Sequence, residues 1–144
     1  MFGLFTGLRL SDLLKLRWDN IERSPDGGHC IRLCTEKTET EATLPVSEEA
    51  LKYCGERGEG LIFKGFKRSM AQQPFKKWVK ATGIEKKLSF HCLRHSFATI
   101  LISLGIDVYV VSKMLTHRSV RTTQIYADVV SEKKREASNA ITLK

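Results

Sequence analysis

No stretch of this sequence approaches the roughly 20 consecutive apolar residues of a bilayer span, so a membrane-embedded chain is not expected. The opening from Met1 to Arg9 has neither a basic leader nor a long apolar core, and no secretory signal is expected there. Proline is scarce, with three in 144 residues, and no low-complexity linker or internal repeat divides the chain. Cys30 and Cys34 stand three residues apart with no matching second pair, a poor spacing for zinc. With Cys54 and Cys92 they are expected to be reduced thiols of a cytoplasmic protein. A Walker-type Gly-rich loop is absent, and acids do not gather beside the basic motifs, which disfavours a metal-dependent nuclease.

What remains is a chain of ordinary globular composition, 42% apolar and 28% charged, long enough for one hydrophobic core. Lys and Arg exceed Asp and Glu by 24 to 16, a formal charge of +8. An excess of this size suits either a solvated surface or a polyanionic partner, chiefly nucleic acid, and does not choose between them.

Apolar residues at Leu10, Leu13, Leu14 and Leu16 keep helical spacing. Ile21, residues 29–35 and residues 42–46, with Ser24-Pro25-Asp26-Gly27-Gly28 as a turn, predict about three antiparallel strands. Beyond Pro45 the chain reads as mostly helical. Ser47 is the predicted cap of a helix through residues 50–56, and Leu61-Ile62-Phe63 is expected to be extended. Further helices are predicted from Ser69 to Thr82, from Ser89 to Leu104, from Asp107 to Leu115, from about Ser119 to Tyr126, and after Ser131. The predicted fold is a single α+β domain over residues 1–144, mostly helical, with a small three-stranded antiparallel sheet at one edge.

Three segments carry chemistry. In Phe90-His91-Cys92-Leu93-Arg94-His95, a His and an Arg three apart share a helix face, with Leu93, Phe97 and Leu101 expected opposite. Arg offers a planar fork of donors and His a proton near neutral pH, a pair suited to phosphate. His91 and His95 are four apart, as helical zinc ligands are, but no third ligand follows and no metal is expected. In Thr6-Gly7-Leu8-Arg9-Leu10-Ser11-Asp12, Arg9 follows a glycine turn and opens a helix, with Asp12 one turn on to orient its guanidinium. From Leu115 to Tyr126, a His at a helix boundary precedes a Tyr by nine residues. Each segment, taken singly, also suits a solvated surface or a core-edge aromatic.

Together, in order and local wording, these segments resemble the catalytic domain of the tyrosine recombinases, the phage-integrase class. The matching stretches are Thr6–Arg9 with Leu16-Arg17-Trp18-Asp19-Asn20-Ile21, then Thr35-Glu36-Lys37-Thr38, His91 through Thr99, and Leu115-Thr116-His117 through Tyr126. They span nearly the whole chain. The resemblance implies that Arg9 and Arg94 clamp a scissile DNA phosphate and that His117 adds a third donor. Tyr126 attacks to give a 3′-phosphotyrosine, Lys37 protonates the leaving 5′-oxygen, His91 assists proton transfer and Asp12 supports. Arg118, Arg121, Thr122 and Thr123, between the last His and the Tyr, are expected to face the DNA. Double-stranded DNA is the implied partner, with self-association into a tetrameric synapse, and no cofactor is implied.

Two departures accompany the resemblance. Thr116 stands where the family usually has glycine, and a β-branched residue would strain a left-handed turn there. The family's usual N-terminal DNA-binding domain is not in this sequence, so a larger parent protein is expected. Residues 128–144 correspond to a tail that packs on a neighbouring subunit in relatives. A non-catalytic DNA-binding module of the same fold and a type IB topoisomerase share much of this pattern; relaxation of supercoils without site preference would mark the latter.

Overall fold

A computed structural model describes residues 1–35 and 40–129. Lys37, the predicted helix after Ser131 and the tail from residue 130 therefore lie outside the described residues. Two short helices come first, α1 (Phe2–Thr6) and α2 (Leu10–Lys15). The sheet follows: β1 (Ile21–Arg23), β2 (His29–Thr35) and β3 (Thr40–Val46), antiparallel in the order β1-β2-β3. Then come α3 (Glu48–Leu51), α4 (Gln73–Ala81), α5 (His91–Ser103), α6 (Val108–Met114) and α7 (Arg121–Val129). The observed class is the expected one, helices with a small antiparallel sheet.

Register explains the sheet's attachment. Ile31 lies opposite both Ile21 and Leu44, so one face presents a cross-strand row of buried aliphatics. That row packs with Phe2, Leu13, Leu16 and Trp18 in one core. A second core joins Phe97, Ala98, Ile102, Val111, Leu115 and Tyr126 across α5, α6 and α7. No helix among the described residues is long and apolar enough to cross a membrane.

Caps at Ser47 and Asp107 form as expected: their side chains accept from Ala50 N and Tyr109 N at 3.2 and 2.8 Å. The predicted helix over residues 50–56 is shorter than expected. It tightens into a 3-10 turn at Lys52–Cys54 and stops at Gly55, where φ is 77°. The helix expected to start at Ser69 starts three residues later, capped by Gln72, because Pro74 lacks the N–H an interior position needs and fits only the first turn. Leu61 forms a single bridge to Arg17 rather than a strand.

Candidate active site

The turn between α6 and α7 brings the site together. Leu115 N and Thr116 N continue the helical pattern to Val111 O and Lys113 O, and His117 N returns to Ser112 O at 3.0 Å. This reversal requires a left-handed residue, and Thr116 takes it at φ 52°, the conformation that makes glycine the easier choice. Thr116 is the sole non-glycine residue at positive φ among the described residues.

Both arginines reach this turn. Arg9 caps α2 through its backbone, and its Nη1 donates to Thr116 Oγ1 at 3.0 Å. Arg94 is 3% exposed; Nη1 donates to Gly7 O at 2.6 Å and Nη2 donates to Leu115 O. Gly7 is itself left-handed, at φ 63°, and a Cβ there would lie 2.5 Å from a Phe97 ring carbon. Only glycine allows this close approach of α1 to α5. Burial, then the neighbouring Arg9, lowers the Arg94 pKa to about 10, against the opposing charges of Tyr126 and Asp12. Asp12 is buried, and its charge is felt at Arg94.

Arg94 lies on the inward side of α5, contrary to the polar stripe expected for it. At about 100° per residue, Phe97 and Ala98 fall within some 60° of Arg94 around the axis, and all three are buried. His91, at the start of α5, is exposed and meets His95 edge to face, with ring centroids 4.6 Å apart.

His117 is half-buried, its Nδ1 2.8 Å from Thr123 Oγ1. Burial foremost, then the charges of Arg94 and Arg9, push its pKa down to about 4, so it is neutral at physiological pH. In the tautomer protonated at Nε2, the Thr123 hydroxyl donates to Nδ1 and the ring keeps Nε2–H as a neutral donor. Thr123 is thus no surface contact. It is completely buried, since it falls on the α7 face that packs against α5 and α6, and this corrects its expected DNA-facing position. Arg118, Arg121 and Thr122 are exposed. Arg118 also borders an open cleft of about 410 Å³ shared by Glu41, Thr43, Lys113, Thr116 and His117.

Tyr126 is buried, and its hydroxyl lies 2.7 Å from His95 Nδ1. Burial raises the phenol's pKa, while the nearby charge of Arg94 works in the opposite direction. Of the residues singled out by sequence, Arg9, Arg94, His117 and Tyr126 therefore converge, with Asp12 behind and His91 at the rim. Two buried or half-buried guanidinium groups, a neutral imidazole donor and a phenol around one turn suit an anionic phosphodiester. Sequence reasoning weighs His95 only as a metal ligand, through its four-residue spacing from His91, and reads Thr116 as a strained turn and Thr123 as a DNA contact; the hydrogen bonds these side chains make carry no signal in the sequence.

The model of the phage integrase family matches residues 1–133. The tyrosine recombinase XerD of Corynebacterium glutamicum is 32% identical over 147 aligned residues, covering 91% of this chain and 47% of the relative. A tyrosine recombinase of Pseudothermotoga lettingae is 29% identical, covering 95% and 50%. The chain thus spans about half the length of these curated relatives. Among solved structures, the XerA recombinase superposes with a TM-score of 0.75 at 25% identity, over 99% of this chain and 56% of that one. The catalytic domain of bacteriophage HP1 integrase superposes with a TM-score of 0.71 at 24% identity, over 95% and 76%, a likeness of fold.

Proposed function

The chain belongs to the phage integrase family, and from that premise we propose that it is the catalytic domain of a site-specific recombinase that cuts and rejoins DNA through Tyr126. The observation that carries this reading is the convergence of Arg9, Arg94 and His117 on the turn at residues 115–117, with Tyr126 within the electrostatic reach of Arg94.

In this scheme the two arginines and the Nε2–H of His117 hold the non-bridging oxygens of one phosphate and offset the charge that grows on them during attack. Tyr126 Oη bonds to phosphorus as the bond to the 5′-oxygen breaks, leaving a 3′-phosphotyrosine and a free 5′-hydroxyl. Lys37 supplies the proton to that oxygen, and His91, at the exposed rim, assists proton transfer. One phosphodiester is traded for another of nearly equal energy, so the step needs no nucleotide hydrolysis. The two arginines do the charge neutralisation that a metal ion does in other phosphoryl transfers, and His117 adds a neutral hydrogen bond.

Duplex DNA is the proposed partner. Between Lys64 and Lys87, eight exposed Lys and Arg stand against the single Glu85, nearly all of the chain's net positive charge. That density on and around α4 suits a phosphate backbone. One relative of this fold, the XerH recombinase, was solved on its difH DNA substrate. We place the reaction in the cytoplasm, in integration and excision of a mobile element, with four copies of a longer parent protein forming the synapse.

The test is direct. The protein is mixed with end-labelled fragments of its source genome in EDTA and quenched with SDS. The expected outcome is label retained with protein, released by protease and absent with Tyr126→Phe. Binding in a gel shift without any such adduct would instead support a non-catalytic module.

A further inference from the structure

The site holds three histidines beside its tyrosine, and they are not equivalent. His117 commits Nδ1 to Thr123 at 2.8 Å. His91 meets His95 edge to face, with ring centroids 4.6 Å apart. His95 Nδ1 stands 2.7 Å from Tyr126 Oη, with ring centroids 5.5 Å apart and planes 54° from one another. That distance is inside the 2.6–3.2 Å window in which a proton passes directly.

The contact is held from both sides. His95 follows Arg94 on α5, and Arg94 is fixed by the carbonyls of Gly7 and Leu115. Tyr126 sits on α7, which packs against α5, and it belongs to the same core as Phe97 and Ala98. The tyrosine ring cannot drift without disturbing that core.

Attack by Tyr126 requires a destination for its proton. We propose that His95 takes the phenolic proton as Tyr126 attacks and gives it back when the strand is resealed. This rests on the reading of Tyr126 as nucleophile. The imidazole, protonated at Nε2, accepts from the phenol at Nδ1 and becomes imidazolium as the Oη–P bond forms. The P–O5′ bond breaks in the same step, and the 5′-oxygen draws its proton from a different acid, Lys37 in the scheme above. Resealing runs both transfers backwards. His95 is then a catalytic residue, because it touches the attacking oxygen, while His91 at the exposed rim of the same helix leads from it towards solvent. The charged and titratable groups around the pair are Arg94 and His91 on α5, Arg9 ahead of α2 and His117 ahead of α7; the charge of the two arginines is offset by the phosphate during reaction.

The experiment follows single-turnover adduct formation on a labelled duplex selected by its trapping with the wild-type protein. Wild type, His95→Asn, His95→Gln and Tyr126→Phe are compared between about pH 6 and 9. Asn keeps a hydrogen-bonding atom near the Nδ1 position but holds no proton at these pH values. Expected is a slowing of about 10²- to 10³-fold near neutrality, with unchanged DNA retention in a gel shift and unchanged thermal midpoints. The variant's rate should then climb about tenfold per pH unit as hydroxide replaces the base, closing on wild type. A His95→Asn rate equal to wild type overturns the proposal, because hydrogen bonding alone would suffice. An equal loss at every pH also overturns it, because the role would be structural. A variant faster than wild type overturns it too, since the contact would then park the tyrosine. Should Asn fail to fold, Gln carries the same comparison. A wild-type adduct lost in Tyr126→Phe but untouched at His95 sinks this inference alone; no wild-type adduct at all sinks the nucleophile reading with it.

Discussion

Arg9 Nη1 donates to the hydroxyl of Thr116 at 3.0 Å, joining residues 107 apart in sequence. The partner is the residue forced into a left-handed turn at φ 52°. A glycine there would relieve the backbone and lose the bond, so the strained threonine does something that glycine does not: it holds one of the two site arginines.

This relationship separates stability from activity. Thr116→Gly should raise stability by roughly 1 kcal/mol through relief of the left-handed conformation, yet lower adduct formation roughly tenfold as Arg9 loses its partner. Thr116→Ser, which keeps the hydroxyl, should retain most of the rate. Urea midpoints and single-turnover trapping on the three proteins check both halves, and a Gly variant faster than wild type would mean that the bond holds Arg9 unproductively.

Gly7→Ala should be among the most damaging single-methyl changes in the protein. The added carbon meets Phe97 at 2.5 Å and Leu115 at 3.0 Å, at φ 63°. Strain and overpacking together should cost about 2–4 kcal/mol, read from urea unfolding. Because Gly7 O accepts from Arg94, adduct formation should fall even where the variant stays folded.

His117 makes stability depend on pH in a defined window. Its folded pKa of about 4 lies below the ordinary 6.5, so on acidification the unfolded chain takes up the proton first. The neutral form's contribution is fully present above the ordinary value and is lost as pH falls from about 6.5 towards 4. His117→Gln should flatten this part of a urea-midpoint profile; an unchanged slope would show that the ring is not desolvated as described.

Replacing Lys76, Lys77 and Lys80 with Gln should weaken retention of duplex DNA and reduce the slope of log affinity against log salt by up to about 3. Adduct formation at saturating protein should be little changed, because these exposed residues lie on α4, outside the group around Thr116. Filter binding across a salt series decides it.

Much of this was legible in the sequence. Hydrophobic spacing and turn residues located the three strands, and Ser47 and Asp107 announced their helices because capping is a local interaction. Arg9, Arg94, His117 and Tyr126 were named before any geometry was known. Periodicity did not reveal that Arg94 points inward, because a residue pattern gives relative angles around a helix and not which side meets the core. Thr123 misled for the same reason: a hydroxyl two residues after Arg121, in a polar stretch, reads as surface, and only tertiary packing turned it towards His117. His95 was weighed as a metal ligand through its spacing from His91, whereas its partner comes from a helix 31 residues further on.

The central claim is that Tyr126 becomes joined to DNA at a 3′ phosphate. The adduct trapped by SDS should be digested with protease and nuclease, and the modified peptide sequenced by mass spectrometry. The account predicts a nucleotide on Tyr126 and a released strand whose free 5′-hydroxyl is labelled by polynucleotide kinase without prior phosphatase. A nucleotide on Tyr53, on Tyr109 or on any serine, or a released strand bearing a 5′ phosphate, would contradict it.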